Sequence, residues 1–382
     1  MAQVLTGARI FTGEGMRDGL ALVIDGGRIA ALVPAGDLPV GAAVTGLPAG
    51  SILAPGFIDT QVNGGGGVLF NDMPTADACR AIAAAHRRFG TTALLPTFIT
   101  DSADKMARAA AAAAEAARDP HSGVIGIHLE GPFLAPARKG VHEEAFIRVP
   151  TAADIDLLCA LPARFPRGRV LVSLAPEVVE AADIARLAAA GVVVAGAHTA
   201  AGYDCTMAAI AAGMTGFTHL FNAMPPIQNR EPGVAGAALA GDAVCGIIVD
   251  GVHVHPALLR LALAVKPPGS LMLVTDAMPP TGTDVTSFPL YGRTIHRRNG
   301  RLETEDGVLA GADIDMARAV RNTVGLLGVP VEESLRMAAL YPARFLGMDD
   351  QRGRIAPGFI ADLVLLDPDL MPLATWVAGQ RG

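Results

Sequence analysis

From residue 52 onward, the chain alternates between short apolar runs and alanine-rich stretches with helical periodicity. Short apolar runs bounded by turn residues are typical of buried strands, and their alternation with helices is typical of parallel sheets. Eight such units predict an α/β fold with a closed (β/α)8 TIM-like barrel, which needs roughly 250 residues. The predicted strands lie near residues 52–59, 92–98, 124–129, 170–175, 192–197, 216–220, 245–250 and 271–275.

Helices are predicted between and after these strands. The clearest helical patterns cover residues 75–89, 103–118, 183–190 and 256–265, and a last helical region covers residues 314–327 and 331–346. Alanine favours helix by its intrinsic propensity, so the alanine-rich stretches need no functional explanation. A hairpin-like insert is predicted near residues 291–304, after the eighth strand.

The two ends of the chain have a different pattern. The N-terminal residues contain short alternating strands separated by glycine turns, including an Asp-Gly-Gly hairpin signal at residues 25–27. The C-terminal residues repeat this style. We therefore predict a small β-sandwich domain built from residues 1–54 and 347–382, and a barrel domain over residues 55–346.

Composition and charge exclude several classes of protein. With 51% hydrophobic and 18% charged residues, the chain can bury a large core. A net charge of −7 gives no general attraction to nucleic acid. No run of about 18 apolar residues lacks a polar interruption, so we predict no membrane span. The four cysteines form no CxxC pair and no basic leader opens the chain, which favours the cytoplasm.

Polar side chains follow the predicted strands at one pole of the barrel. Glu130 closes the third strand, and a carboxylate is rarely buried unless it is paired or bound to a metal ion. His198 and His219 follow the fifth and sixth strands. His253 follows the seventh strand and Asp276 the eighth. Because catalytic groups of such barrels lie at the carboxyl ends of the strands, we predict a site for a zinc-class ion there.

Asp276 has a separate predicted role beside this metal site. A carboxylate in that position can accept a proton from water and later pass it to a leaving group. The simpler alternative for Asp276 is a helix N-cap or turn residue.

Several motifs point to one known family. They occupy residues 54–59, 128–134, 139–142, 218–225, 230–233, 250–253, 274–277 and 309–311. The most specific are His-Leu-Glu-Gly-Pro-Phe in the second segment and Thr-His-Leu-Phe-Asn-Ala-Met-Pro in the fourth, which is followed by Arg-Glu-Pro-Gly. On these motifs the chain resembles the N-acetylglucosamine-6-phosphate deacetylases of the amidohydrolase superfamily over nearly its whole length.

The resemblance implies an activity and a catalytic set. The reaction would be hydrolysis of N-acetyl-D-glucosamine 6-phosphate to D-glucosamine 6-phosphate and acetate, in amino-sugar catabolism or recycling. Glu130, His198 and His219 would bind the metal ion, and Asp276 would be the catalytic acid and base. His142 would hydrogen-bond the substrate near its amide and help to stabilise the oxyanion.

The resemblance also implies substrate contacts and a homodimer. The implied substrate-binding residues are Val141, His142, Asn222, Ala223, Arg230, Asp250, Gly251, Val252, His253, Leu309, Ala310 and Gly311. Asn222 and Ala223 would contact the phosphosugar through the backbone, and Arg230 and His253 would hold its phosphate. Residues 309–311 would close over the acetyl end. Related enzymes are commonly dimers in which the phosphate-binding Arg reaches into the neighbouring site.

Two positions after the first strand limit the number of metal ions. Many amidohydrolases have His-x-His there and bind two metals, whereas this chain has Gln61 and Asn63. Neutral amides are poor ligands for such ions, so we expect one tightly bound divalent ion and two vestigial second-metal positions. Zn²⁺ is expected, although the same ligands also accept Fe²⁺, Co²⁺ or Mn²⁺.

Three alternatives remain open at this point. The substrate could be the galactosamine epimer. It could also be another linear or cyclic amide, as in dihydroorotase-like enzymes, although no lysine stands at the strand end where their bridging carbamylated lysine is expected. A non-catalytic scaffold with the same barrel is the third alternative, and the intact Glu130, His198, His219 and Asp276 argue against it.

Overall fold

The N-terminal strands lead into the barrel. The computed structural model describes residues 2–382. Seven strands come first: β1 (Gln3–Thr6), β2 (Arg9–Phe11), β3 (Met16–Arg17), β4 (Leu20–Asp25), β5 (Arg28–Pro34), β6 (Ala43–Gly46) and β7 (Ile52–Pro55). Four of them form a sheet in the order β5-β4-β1-β6. Gly26 and Gly27 make the β4–β5 turn with positive φ, as the hairpin signal predicts.

Eight parallel strands then form the predicted barrel in sequential order. After β8 (Phe57–Val62) come a small ribbon of β9 (Gly64–Gly65) and β10 (Val68–Leu69), and then β11 (Thr91–Ile99), β12 (Gly126–Glu130), β13 (Arg169–Leu174), β14 (Val193–Gly196), β15 (Gly216–Phe217), β16 (Val244–Ile247) and β17 (Leu271–Leu273). The first and last strands approach each other through a parallel bridge between Val62 and Ala277. This bridge nearly closes the ring, so the barrel prediction is confirmed.

The first predicted strand, residues 52–59, is wrong as a single element. It consists of β7, which joins the terminal sheets, and β8, which joins the barrel. The chain changes sheets at Gly56, where a Cβ atom would lie 2.0 Å from Thr92 Oγ1. An uninterrupted apolar run does not reveal such a crossing, because strand periodicity is the same on both sides.

Helices cover the outside of the barrel. They are α1 (Ala76–Arg87), α2 (Ala103–Ala116), α3 (Ala152–Ala160), α4 (Ala181–Ala189), α5 (Tyr203–Ala211), α6 (Gly233–Ala240) and α7 (Pro256–Val265). Thr75 and Ser102 cap α1 and α2 by accepting hydrogen bonds from backbone N–H groups of the first turn. Over the described residues, none of the helices combines the length and apolar character needed to cross a membrane.

The insert after the eighth strand is larger than the predicted hairpin. It is an antiparallel sheet of β18 (Ser287–Leu290), β19 (Arg293–Arg298), β20 (Arg301–Glu303) and β21 (Leu309–Ala312). Its buried side chains pack with Leu69, Ile99 and Met278, which lie near the carboxyl ends of the barrel strands. The insert therefore covers part of the pole where the predicted site lies.

The C-terminal segment returns to the terminal sheets. It contains α8 (Met316–Leu327), α9 (Val331–Ala338), α10 (Leu340–Phe345), β22 (Leu363–Leu366), β23 (Pro372–Val377) and β24 (Gln380–Arg381). The last three strands pair with N-terminal ones in the order β24-β23-β22-β7-β2-β3. Leu22, Leu53, Leu363 and Trp376 are buried together between the two terminal sheets. Strands from both ends thus build the small β-structure that the sequence predicts.

Candidate active site

A cavity of about 410 Å³ opens at the carboxyl ends of the barrel strands. It is lined by Asn63, Ile99, Glu130, Ala137, Arg138, Gly140, Val141, His142, His198, His219, Asn222, Ala223, His253, Asp276, Met278, Val308, Leu309 and Gly311. A larger cavity of about 960 Å³ lies between the terminal sheets and the barrel and contains none of the predicted site residues. The smaller cavity has a size typical of small-molecule sites.

The three predicted metal ligands converge in this cavity. His219 Nε2 lies 2.9 Å from Glu130 Oε1 and 3.1 Å from His198 Nε2, and His198 Nε2 lies 3.2 Å from Glu130 Oε1. All three side chains are almost inaccessible to solvent, with residue exposures of 2% for Glu130, 7% for His198 and 3% for His219. The result is a small triangle of one oxygen and two nitrogen atoms.

The chemistry of this triangle fits a divalent cation. His198 Nδ1 lies 2.8 Å from the Arg138 carbonyl oxygen, which can only accept a hydrogen bond. Neutral His198 must therefore present the lone pair of Nε2 to Glu130 and His219, an arrangement that a cation between them relieves. The three edges are also close to the ~3.3 Å separation expected between ligands of a tetrahedral ion with bonds of about 2.0 Å.

His142 is a fourth candidate ligand beside this triangle. One ligand atom each from Glu130, His142 and His198 lies within 4.8 Å of the other two. The His142 and His198 rings are 4.4 Å apart between centroids, and Thr100 Oγ1 contacts His142 Nδ1 at 2.8 Å. Burial, reinforced by His198, lowers the pKa of His142 to about 3, so its imidazole is neutral at physiological pH.

Asp276 lies beside the triangle and is held by two amides. Asn63 Nδ2 donates to Asp276 Oδ1 at 2.6 Å, and Gln61 Nε2 donates to the same oxygen at 3.1 Å and to Glu130 Oε2 at 3.2 Å. The amide at each predicted vestigial position thus acts as a donor to a carboxylate. Burial and the charge of Glu130 raise the pKa of Asp276 to about 6.

A layer of buried polar side chains supports these groups from below. Asp59 accepts hydrogen bonds from the Gln61 N–H at 3.2 Å and from the Thr275 N–H and hydroxyl group at 3.3 and 2.5 Å. It therefore joins the first barrel strand to the residue that precedes Asp276. Burial raises the pKa of Asp59 to about 7 despite these hydrogen bonds.

The backbone is also unusual at the cavity. His198, His219 and Asp276 are non-glycine residues with positive φ values of 45°, 34° and 52°. Non-glycine residues are uncommon in this left-handed region, because the surrounding structure must enforce the strained backbone. Such residues cluster at functional sites. Three of these residues meeting at one cavity is independent support for a functional site.

The open side of the cavity carries the groups that could contact a substrate. Asp250 Oδ2 contacts His253 Nδ1 at 2.6 Å and so orients the His253 ring. Burial would raise the pKa of Asp250, but the hydrogen bond and charge of His253 outweigh it and hold that pKa below its ordinary value. Phe221 and Ala223 have positive φ on either side of Asn222. Within residues 2–382, no carbonyl or side-chain oxygen accepts a hydrogen bond from the Ala223 N–H, which is free to bind an anion.

The structure does not bring every predicted substrate residue to this cavity. Arg230 is exposed and lies outside the cavity of its own chain. Ala310 is buried in the core of the insert, although its neighbours Leu309 and Gly311 line the cavity. Asp250, Gly251 and Val252 also lie outside its lining, and of these Asp250 acts on it through His253.

Sequence reasoning missed three residues of the site. Thr100 contacts His142, Asp59 supports Gln61 and Thr275, and Arg138 lines the cavity while its carbonyl contacts His198. Asp59 belongs to the motif at residues 54–59, and its placement within a buried strand could have revealed it. Thr100 and Arg138 carry no comparable signal, because their roles depend on loop geometry.

Comparisons with known proteins agree with this geometry. The amidohydrolase family model matches residues 52–382. An N-acetylgalactosamine-6-phosphate deacetylase of Shewanella sp. (strain ANA-3) is 45% identical over 87% of this chain and 84% of its own length. An N-acetylglucosamine-6-phosphate deacetylase of Haemophilus influenzae is 34% identical over 100% of this chain and 99% of its own.

A solved structure shows the same agreement in three dimensions. The crystal structure of N-acetylglucosamine-6-phosphate deacetylase from Pasteurella multocida superimposes with a TM-score of 0.96 at 37% identity and covers 100% of both chains. The chain belongs to the amidohydrolase family. The three proteins named above are deacetylases of N-acetylgalactosamine 6-phosphate or N-acetylglucosamine 6-phosphate, and the buried cluster of Glu130, His142 and His198 in this chain is compatible with a metal site.

Proposed function

We propose that this chain is a metal-dependent deacetylase that hydrolyses N-acetyl-D-glucosamine 6-phosphate to D-glucosamine 6-phosphate and acetate. The observation that carries the proposal is the convergence of Glu130, His198 and His219 beside Asp276 in one cavity. The names of the full-length Haemophilus influenzae and Pasteurella multocida relatives support the same substrate.

One divalent ion, Zn²⁺, is proposed to bind Glu130, His198 and His219. Such an ion supplies Lewis acidity to the substrate carbonyl and lowers the pKa of water. Gln61 and Asn63 direct their amide N–H groups toward carboxylates, which supports a single ion. His142 is proposed to stay outside the ligand set and to contact the substrate near its amide. Neither of its nitrogen atoms lies within 4.0 Å of a Glu130 oxygen, whereas His198 and His219 lie 3.2 and 2.9 Å from Glu130 Oε1.

Asp276 is proposed to move the proton. Its Oδ1 accepts the Asn63 and Gln61 amides, whereas no described side chain or N–H group donates to its Oδ2, which is free for chemistry. The carboxylate would take a proton from the attacking water and deliver it to the departing amine, which leaves poorly unless it is protonated. A pKa of about 6 lies close to the operating pH at which such a group works best.

The remainder of the substrate is proposed to lie toward the open side of the cavity. His253 and the free N–H of Ala223 would contact the phosphate, together with Asn222. Remote contacts of this kind orient the amide at the reacting centre. Val141 and residues 309–311 would surround the acetyl end.

Arg230 is proposed to serve the neighbouring site of a homodimer. It is exposed and does not line its own cavity, which supports a role outside its own chain. We further propose that the enzyme works in the cytoplasm, which the four free cysteines support. The division into residues 1–54 plus 347–382 and residues 55–346 is likewise proposed, with strands from both ends in one sheet as support.

N-acetyl-D-galactosamine 6-phosphate is a second candidate substrate. The relative with 45% identity carries that substrate in its name. The two sugars differ only in the configuration at C4, which lies away from the reacting amide, so the metal site fits both equally.

Acetate release from the two 6-phosphates, measured side by side with and without a chelator, tests this proposal. We expect chelator-sensitive release, with the larger kcat/KM identifying the substrate. Glu130→Gln should lose both the bound ion, measured by elemental analysis, and the activity. Absence of acetate release from either sugar by the metal-loaded protein would refute the substrate assignment.

A further inference from the structure

The open side of the cavity contains one permanently charged cation. Of the residues that line it, only Arg138 carries a guanidinium group, and none is a lysine. We propose that Arg138 binds the phosphate group of the substrate from the same chain. This inference rests on the proposed function, since it assigns a partner to the phosphate of that substrate.

The backbone of Arg138 fixes this residue next to the catalytic centre. Arg138 ends a short helical turn, Pro136–Arg138, and its carbonyl oxygen accepts the hydrogen bond from His198 Nδ1 at 2.8 Å. The main chain is therefore tied to a proposed metal ligand. Because the carbonyl makes this contact, the side chain is not needed for it.

The guanidinium of Arg138 has no acceptor within the protein. Among residues 2–382, no carboxylate or carbonyl oxygen lies within hydrogen-bonding or salt-bridge distance of it, and it is only partly exposed. The adjacent cation, Lys139, already has a partner, because its Nζ lies 2.8 Å from Glu144 Oε2. Arg138 is one of the residues that line the cavity, and a planar, unpaired guanidinium is well suited to bind two oxygens of a phosphate group.

The position of this cation also suits an anionic substrate. Glu130 and Asp276 are both carboxylates of the same cavity, in a chain with a net charge of −7. The proposed divalent ion would offset these two charges, and Arg138 would add a positive charge that attracts a phosphate dianion. Arg230 does not line the cavity of its own chain, so Arg138 is the arginine that this chain contributes to its own cavity.

Arg138→Met tests the inference, because it removes the charge and keeps an unbranched side chain. Two quantities are compared with wild type: the affinity for D-glucosamine 6-phosphate by calorimetry, and the preference for N-acetylglucosamine 6-phosphate over N-acetylglucosamine in kcat/KM. We expect each to fall about 10- to 100-fold, with Arg138→Lys in between. Lys139→Met is the matched control and should change neither quantity.

The two measurements separate this inference from the proposed function. A wild type that releases no acetate but loses affinity for D-glucosamine 6-phosphate through Arg138→Met would refute the deacetylase and keep the phosphate contact. Unchanged affinity and unchanged preference in a folded Arg138→Met protein would overturn the contact. An equal loss of kcat/KM with both sugars, at unchanged product affinity, would overturn it too, because a phosphate contact changes the preference.

Discussion

The cavity has two ends that are built differently. The buried end consists of Glu130, His198, His219 and Asp276, whose polar atoms contact one another or the amides of the first barrel strand. The open end consists of Arg138, Asn222, His253 and Leu309, which are partly exposed. The first three lie in the connections that follow barrel strands, and Leu309 begins β21 of the insert.

The difference follows from where each side chain leaves the barrel. Glu130 ends β12, and each of the other residues of the buried end lies two or three positions beyond a strand. Barrel geometry alone therefore brings them together. His253 lies six positions beyond β16, and Arg138 lies eight beyond β12, so loop conformation decides their positions. We expect changes at the buried end to lower kcat and changes at the open end to raise KM.

Asp276→Asn should have the largest effect. The variant keeps the Asn63 and Gln61 contacts at Oδ1 but cannot accept a proton, so kcat should fall about 10³-fold. Steady-state kinetics at saturating substrate measures this loss, and elemental analysis should find the full metal content. Leu309→Ala is the comparison at the open end and should mainly raise KM. Normal turnover by Asp276→Asn would remove this residue from the mechanism.

The same contrast explains what the sequence could predict. The order of residues at the buried end was predictable, because each follows an apolar run and parallel strands place their carboxyl ends together. The contacts of the open end were not, as Arg230 and Arg138 illustrate. Arg230 belongs to a specific motif yet lies outside its own cavity, whereas Arg138 lines it without any motif. The change of sheet at Gly56 was not predictable for a related reason, because it depends on the contact with Thr92, which belongs to another strand.

Gly311→Ala should have the second largest effect, because it disturbs the buried end from the insert. Gly311 has φ of 65°, and a Cβ there would lie 2.5 Å from Met278 Cγ and 2.8 Å from the Asp276 carbonyl oxygen. Relief of these clashes must move Asp276, so we expect kcat to fall about 10- to 100-fold, as misplacement of a catalytic group by an ångström can do. Steady-state kinetics of the folded variant measures this fall in kcat.

Gly325→Ala is the control for this substitution. Gly325 lies in α8, and a Cβ there would meet nothing within 4 Å. Alanine is the better helix former by about 1 kcal/mol, so this variant should keep its activity and gain some thermal stability. Wild-type kcat in Gly311→Ala would show that the insert does not position Asp276.

Thr100→Val should have a smaller effect, at a residue that directly follows β11 and contacts the insert. The Thr100 carbonyl accepts a hydrogen bond from the Tyr291 hydroxyl group, and Thr100 Oγ1 contacts His142 Nδ1 at 2.8 Å. Loss of the hydroxyl group frees the His142 ring and its tautomer, so kcat/KM should fall about 10-fold. Nitrogen NMR shifts of the His142 ring report the tautomer directly.

Thr100→Ser separates the hydroxyl group from the shape of the side chain. It should restore most of the activity and the wild-type tautomer of His142, because the oxygen atom is retained. If Thr100→Val has wild-type kinetics and an unchanged His142 spectrum, the contact with Thr100 does not orient this ring.

Asp59→Asn should give the smallest effect, a change in how stability depends on pH. Burial raises the pKa of Asp59 from its ordinary 3.8 to about 7, so the folded protein holds this proton more tightly than the unfolded chain does. The resulting stability is fully present below pH 3.8 and is lost as pH rises through about 7. Between pH 5 and pH 8, the melting temperature of Asp59→Asn should therefore gain about 1–3 °C relative to wild type.

Asp154→Asn, at a residue that does not line the cavity, should behave in the opposite way. Arg148, which contacts both Asp154 carboxylate oxygens, holds the pKa of Asp154 well below its ordinary value. This pair stabilises the folded state at neutral pH and loses its contribution as pH falls through that lowered pKa, so the deficit of Asp154→Asn should shrink in acid. Thermal melts across the pH range distinguish the two slopes. A difference in melting temperature between Asp59→Asn and wild type that does not change with pH would show that Asp59 does not retain its proton in the folded protein. The carboxylate beneath the buried end would then be charged.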